Sequence, residues 1–329
     1  MQHFRQGGLH ALSHASGEDH NVHKPFSKKV EYMKNFSMQD TLFRRIFALM
    51  AIMVMALAAG CSTIRFSYNQ GDTLLYWWLD SYVDFEGQQA DIAKRDISKL
   101  FAWHRQTQLN DYAALLGTWQ RQLAAEPSQA DLVNAYREVR VRGERLAQHA
   151  LPELTTLALS LTPEQIANIE RKFNSKNEDY RRKFVSGSVE KRQKARFKKS
   201  MEQFELWFGN FTSEQETALR RASDARPLDG NIWLEERTHR QRRILATLRD
   251  VQQKKMNREQ ATARMQALER ELFARMDAPE RKAFYDAYTD QTTKYILTAL
   301  RIATPQQKAH AQGRMQGWIN ELQTLAAGK

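Results

Sequence analysis

Residues 93–123 read AKRDISKLFAWHRQTQLNDYAALLGTWQRQL. Their apolar positions Ala93, Ile97, Leu100, Phe101, Tyr112, Leu115, Leu116, Trp119 and Leu123, with His104 among them, recur at intervals of three and four, which places them on one stripe of an α-helix. The spacing predicts one long amphipathic helix. The same period continues downstream. A second helix is expected through Leu132, Tyr136, Val139, Gly143 and Leu146, with Pro152 kinking or breaking it, because proline lacks the N–H that an interior helical position needs. Further stripes run through Ile166 to Phe184 and Phe197 to Phe208, separated by Ser186-Gly187-Ser188, and then through Trp233 to Val251, Met265 to Phe273, Phe284 to Leu300 and Trp318 to Leu322. Glycine and proline are scarce and no convincing strand appears. The expected class is all-α, an elongated antiparallel bundle in which short breaks make successive helices neighbours.

Upstream of this pattern the chain changes character. Arg44 and Arg45 precede the uncharged apolar run IFALMAIMVMALAA at 46–59, which is shorter than the ~20 residues a permanent span needs but suits a secretory signal. Leu57-Ala58-Ala59-Gly60-Cys61 resembles the bacterial lipobox, so Cys61, the only cysteine, is expected to carry the lipid as the first mature residue. A single cysteine can form no internal disulfide in an oxidising compartment. Residues 1–37 are polar and irregular with scattered histidines, and read as a misassigned upstream or disordered segment with translation starting at Met38. The expected organisation is then 38–60 signal peptide, 61–71 lipidated tether and 72–329 helical domain, with Asp72 capping the first helix. Ser62 after the cysteine favours the outer membrane, periplasmic face.

The chain holds 50 basic and 38 acidic residues, a net charge of +12; the first 60 residues contain seven basic and four acidic ones, so the mature chain keeps +9. Nucleic acid is not expected as a partner of an exported protein. Anionic lipid, lipopolysaccharide or acidic client proteins are the anions within reach.

One local pattern recurs. Leu161-Thr162-Pro163-Glu164-Gln165 returns as Phe211-Thr212-Ser213-Glu214-Gln215, more loosely at 256–260 and 276–280, and in part at 304–307. Each reads as a helix start in which the cap side chain accepts from the third helical N–H and the glutamine reaches back, while Leu161 before the cap packs on Ile166. The paired Leu-Thr-x-x-Gln elements resemble those of the Spy/CpxP periplasmic chaperones, which implies client binding on a basic, partly apolar surface. A longer resemblance rests on Tyr68-Asn69, Tyr76-Trp77-Trp78-Leu79 with Tyr82, Ala102-Trp103-His104-Arg105, Tyr112-Ala113, LTPEQ, Asn177-Glu178-Asp179-Tyr180, Trp207-Phe208-Gly209 and FTSEQ. These are similar to an uncharacterised family of all-helical Gram-negative lipoproteins, a domain of unknown function.

The densest charge lies between 181 and 199: Arg181, Arg182, Lys183, Lys191, Arg192, Lys194, Arg196, Lys198 and Lys199, against Glu190 alone, with Phe184 and Phe197 interleaved. It reads either as a solvated helix face or as a site for an anion or client. Tyr76, Trp77, Trp78, Tyr82 and Phe85 fit core packing or the lipid headgroup level, and Asp80 with Asp84 reads as a solvated edge. His104 reads as a hydrogen-bonded core residue rather than a base. His149, His239 and His310 lack any zinc spacing, and no nucleophile elbow or phosphate loop occurs. No metal, cofactor or catalytic residue is expected. The expected function is a lipid-anchored binding protein, as envelope chaperone or scaffold, with a cell-envelope hydrolase as the alternative.

Overall fold

The computed structural model describes residues 64–227, 229–275 and 278–328. Cys61, the signal segment 38–60 and residues 1–37 lie outside them. Helices fill the described chain and no strand occurs in it, so the all-α class holds. Residues 64–69 form α1, followed by α2 (Gly71–Val83), α3 (Gln88–Thr107), α4 (Leu109–Ala124), α5 (Gln129–Ser160) and α6 (Pro163–Tyr180). A π-helical turn at Arg181–Val185 leads to α7 (Val189–Phe208), α8 (Ser213–Asp224), α9 (Gly230–Gln253), α10 (Arg258–Ala274), α11 (Pro279–Ile302) and α12 (Pro305–Ala326).

Four local expectations are revised. The part of the tether at 64–69 is helical, and Asp72 is no cap: Gln70 holds that position without a side-chain bond, and Asp72 Oδ1 accepts from the Thr73 N–H at 2.6 Å. The long helix predicted over 93–123 is divided at Gln108. There Thr107 donates its hydroxyl back to the Trp103 carbonyl (2.8 Å), a bond that bends helices, and the buried Gln108 donates to Thr107 Oγ1. Pro152 neither ends nor divides α5, which runs on to Ser160. An interior proline costs about 3 kcal/mol, but the adjacent Leu151 is buried, which returns ~1.5–3 kcal/mol, and Thr155 and Ala158 one and two turns on are buried with it. Asp80 accepts from the Phe85 N–H at 2.9 Å, closing the end of α2 where Asp84 turns left-handed.

The recurring helix starts are capping boxes at Thr162, Thr212, Asn257 and Thr304, and a fifth, with Asp131 in place of the glutamine, stands at Ser128. The start expected at 276–280 lies partly outside the described residues; α11 begins after Ala278 with Pro279 and no side-chain cap.

Two pairs of helix starts are joined to each other. Gln215 Oε1 accepts from its own Thr212 N–H (2.9 Å), while its Nε2 donates to Gln307 Oε1 (2.9 Å) and to the Ile302 carbonyl (2.7 Å). Gln307 returns each bond: Oε1 accepts from the Thr304 N–H (2.9 Å), and Nε2 donates to Gln215 Oε1 (3.1 Å) and the Asn210 carbonyl (2.6 Å). Gln89 and Gln165 repeat the arrangement. Gln89 binds the Glu86 N–H and the Ser160 carbonyl, Gln165 binds the Thr162 N–H and the Asp84 carbonyl, and the two amides bond reciprocally at 3.1 and 2.6 Å. Gln165 is only 2 % exposed, so this satisfaction of both ends of its amide is what permits its burial.

Each amide pair sits beside its own apolar core. Val83, Leu161, Ile166, Leu245, Val251 and Met265 belong to the first; Phe197, Met201, Phe208, Phe211, Leu219 and Tyr295 belong to the second. Sequence neighbours are not always spatial ones: α5 packs along α10, and α12 along α4 and α7. Arg65 of α1 donates to the buried Glu321 of α12 at 3.0 and 3.2 Å, so the first and last helices meet. Glu236, 3 % exposed, accepts from Arg275 (2.9 Å) and Arg281 (3.0 Å), tying α9 to the start of α11. Burial alone would raise this carboxyl, but the hydrogen bonds and charges of the two arginines outweigh it and hold the group below its ordinary value.

Two predictions follow from these bonds. Gln307→Glu replaces an amide donor by a carboxylate facing the Asn210 carbonyl and should lower unfolding free energy in urea by about 1–3 kcal/mol at pH 7, whereas Gln260→Glu, in a box that joins no other, should be near neutral. Because the folded state depresses the Glu236 carboxyl, its stabilisation is complete above the unfolded carboxylate value of ~4.3 and is lost as pH falls through the folded value. Glu236→Gln should therefore flatten the acid limb of a stability–pH curve.

Candidate functional site

The basic stretch spans three local structures, and its cations separate accordingly. On the π-helical turn, Arg181 pairs with Glu178 (3.4 Å), Arg182 pairs with Asp179, and Lys183 lies 5.3 Å from the centre of the Phe184 ring. The two acids just upstream thus balance part of the charge. Such exposed pairs are worth ~0–1 kcal/mol. The chain then breaks at Ser186-Gly187-Ser188, and Ser188 caps α7 through the Lys191 N–H at 3.3 Å.

Along α7 the spacing sorts the rest into two rows. Lys191, Lys194 and Lys198 fall at intervals of three and four and are exposed. Arg192, Arg196 and Lys199 occupy an adjoining face and line a cavity of about 560 Å³ with residues of α9 and α11. Arg196 does not point to open solvent but is turned toward the link between α8 and α9. Its Nη1 donates to the Pro227 carbonyl (2.8 Å) and the Arg226 carbonyl (3.2 Å), and Nη2 to the Ser223 carbonyl (2.6 Å). A cation thereby closes the C-terminal end of α8, where unpaired carbonyls and the helix dipole favour it.

Arg226 joins the same cavity from the α8–α9 link and is 6 % exposed. It donates to Ser223 Oγ (2.9 Å) and Ser200 Oγ (3.3 Å) and lies 4.2 Å from the centre of the Tyr295 ring. Among the described residues, no carboxylate lies within ion-pair distance of Arg192, Arg196 or Arg226. Burial pushes Arg196 and Arg226 below the ordinary arginine value, and the Arg226 charge pushes Arg196 further; Asp224 acts on both in the opposite sense. Asp229 also lines the cavity, but its carboxylate caps α9 through the Asn231 and Ile232 N–H groups (3.0 and 3.1 Å). The remaining wall is aromatic, with Phe184, Trp233, Tyr288 and Tyr295 prominent. Gly230 allows this closure, since a Cβ there would collide with the Phe184 carbonyl.

Sequence reasoning found the cations of α7 but missed Arg226 and the aromatic wall. Arg226 stands about 30 positions from Arg196, and its one local signal is its place before the helix-ending Pro227. The histidines have structural partners: Tyr68 Oη lies 2.9 Å from His104 Nδ1, His149 stacks on Trp103, and His310 Nδ1 lies 2.9 Å from the Trp207 carbonyl oxygen. Burial lowers His104 below the ordinary histidine value. No group of three or more His, Cys, Asp or Glu among the described residues could hold a metal ion.

An all-helical protein with an arginine-lined, aromatic-walled cavity is the class that this fold and site define. The chain belongs to a family of unknown function, DUF6279, whose model matches residues 81–273. That match takes in the Gln89–Gln165 pair, the whole basic stretch, Arg226 and Trp233, and stops before α11. Comparison with curated proteins and with solved structures finds no match.

If Arg196 acts as a clamp on the α8–α9 link, Arg196→Met should cost about 1–3 kcal/mol through the carbonyls it leaves unpaired. Lys194→Met and Lys198→Met should each stay within ~0.5 kcal/mol, as read by chemical denaturation.

Proposed function

We propose that this chain is a lipoprotein of the Gram-negative cell envelope, held through Cys61 on the periplasmic face of the outer membrane, that binds anionic, partly apolar partners. Its role is to hold them, as a chaperone or scaffold, rather than to transform them. The observation that carries this reading is α7, which presents the lysine row Lys191, Lys194 and Lys198 to solvent and turns a row of cations without carboxylate partners into an aromatic cavity. Lys191, Lys194 and Lys198 form no ion pair among the described residues, and of the α7 cations that line the cavity Arg196 alone is hydrogen-bonded into the fold through its side chain.

The helices nearest the anchor support the membrane part of the proposal. Phe66, Leu74, Trp77 and Trp78 are exposed, the last two by 61 % and 56 %. Tryptophan is the side chain best suited to the headgroup level of a bilayer. No helix among the described residues is long and apolar enough to cross a membrane, so attachment in this reading is by the acyl chains of Cys61, with these side chains resting on the lipid surface.

Cys61→Ala should leave the protein unlipidated and release it from outer-membrane fractions. In the purified chain, changing Lys191, Lys194 and Lys198 together to Glu should weaken co-sedimentation with phosphatidylglycerol vesicles at least tenfold at low salt, with a smaller difference at high salt as the charges are screened. Unchanged sedimentation, or turnover of an envelope substrate abolished by changing one carboxylate, would remove the reading.

A further inference from the structure

We propose that the cavity between α7, α9 and α11 is a binding site for a phosphomonoester carried on an apolar body, with Arg192, Arg196 and Arg226 around the phosphoryl oxygens and the rings of Phe184, Trp233 and Tyr288 around the apolar part. This rests on the reading that the α7 face binds anions, and names the ligand class.

The charge inventory selects the anion. A carboxylate is satisfied by the fork of one guanidinium. Here three guanidiniums and Lys199 line one space, and the single lining carboxylate, Asp229, is committed to its helix cap. A group with about two negative charges and three free oxygens answers that arrangement. Arg226 is buried with no carboxylate in ion-pair contact, Asp224 acting on it only from farther off, and burying a guanidinium is costly in desolvation, so the fold stands to gain when an anion enters.

Donors are also left over. The Arg192 side chain makes no hydrogen bond or ion pair among the described residues, and the Nε atoms of Arg192 and Arg196 and the Oγ1 of Thr292, all lining this cavity, are buried without a partner. The N-terminal turn of α9 borders the same space at Gly230, but its Asn231 and Ile232 N–H groups are already taken by Asp229, so the donors left for a ligand are those of the side chains.

The walls select the rest of the ligand. About 560 Å³ is within the range of small-molecule sites and far more than a bare phosphate fills. Trp233 is fixed edge-on to Tyr288 and Phe284, with centroids 5.1 and 5.8 Å away, so the wall is preformed rather than collapsed.

Isothermal titration of the full chain in detergent tests the assignment with four probes: dihexanoyl phosphatidic acid, phenyl phosphate, inorganic phosphate and dihexanoyl phosphatidylcholine. Both phosphomonoesters should bind at least tenfold more tightly than inorganic phosphate, and the phosphatidylcholine should not bind. A tenfold preference for the phosphatidic acid assigns the group to a lipid headgroup, and the reverse preference to a soluble ester. Arg192→Gln, at a residue whose side chain holds nothing in the fold, should weaken binding at least tenfold with Tm unchanged. Arg226→Met should abolish the Tm increase produced by ligand. The Lys191, Lys194 and Lys198 triple variant should keep its phosphomonoester affinity within threefold. The proposal is overturned if neither phosphomonoester binds, if the phosphatidylcholine binds equally, or if Arg192→Gln and Arg226→Met bind as the wild type does. Vesicle binding that persists without phosphomonoester binding removes the cavity assignment alone; loss of both removes the wider reading too.

Discussion

The reciprocal glutamine pairs are the constraint on which the helical arrangement depends. Gln215 with Gln307, and Gln89 with Gln165, each close a ring of two amide bonds, and each amide then uses its other donor and acceptor on backbone groups at helix junctions. A helix start normally satisfies its own free N–H groups and says nothing about its neighbours. Here the residue that completes the cap also fixes which other junction lies against it. The α7–α8 junction is thereby set against α11–α12, and α2–α3 against α5–α6, with an apolar core beside each meeting point. Packing between helices tolerates sliding; four directed bonds at each junction do not.

This also marks where reading the sequence succeeds and fails. Thr162-Pro163-Glu164-Gln165 is legible as a helix start because the cap and its glutamine are three residues apart and act locally. That Gln165 also meets Gln89 is not legible, since Gln89 follows Glu86 rather than a threonine and the two lie 76 residues apart. Periodicity located the helices themselves because burial of one face leaves its imprint every three or four positions. It overlooked the interruption at Gln108, where the apolar stripe continues though the helix does not, and it overrated Pro152, whose local cost is met by packing from distant helices.

The candidate site was half legible for a similar reason. A run of cations is plain in the sequence, but its division into an outward lysine row and an inward arginine row depends on what covers the helix. Arg196 looks like Lys194 in the chain and behaves differently because the end of α8 arrives above it. Arg226 and Tyr295 come from segments whose own surroundings give no hint of a common cavity. Charge is a local property of the sequence; the absence of a counter-charge is a property of the fold.

The contact between Arg65 and Glu321 bears on how the molecule is made. These residues are separated by 256 positions, and α12 also lies along α4 and α7. Helices α1 and α4 lack this partner until the last residues have been synthesised, and closing so long a loop is slow relative to forming local turns. The contacts of α1, α4 and α7 with α12 therefore form only once that helix is free, whereas the first core, drawn from residues 82–272, needs nothing beyond α10 and can condense while the second is still open.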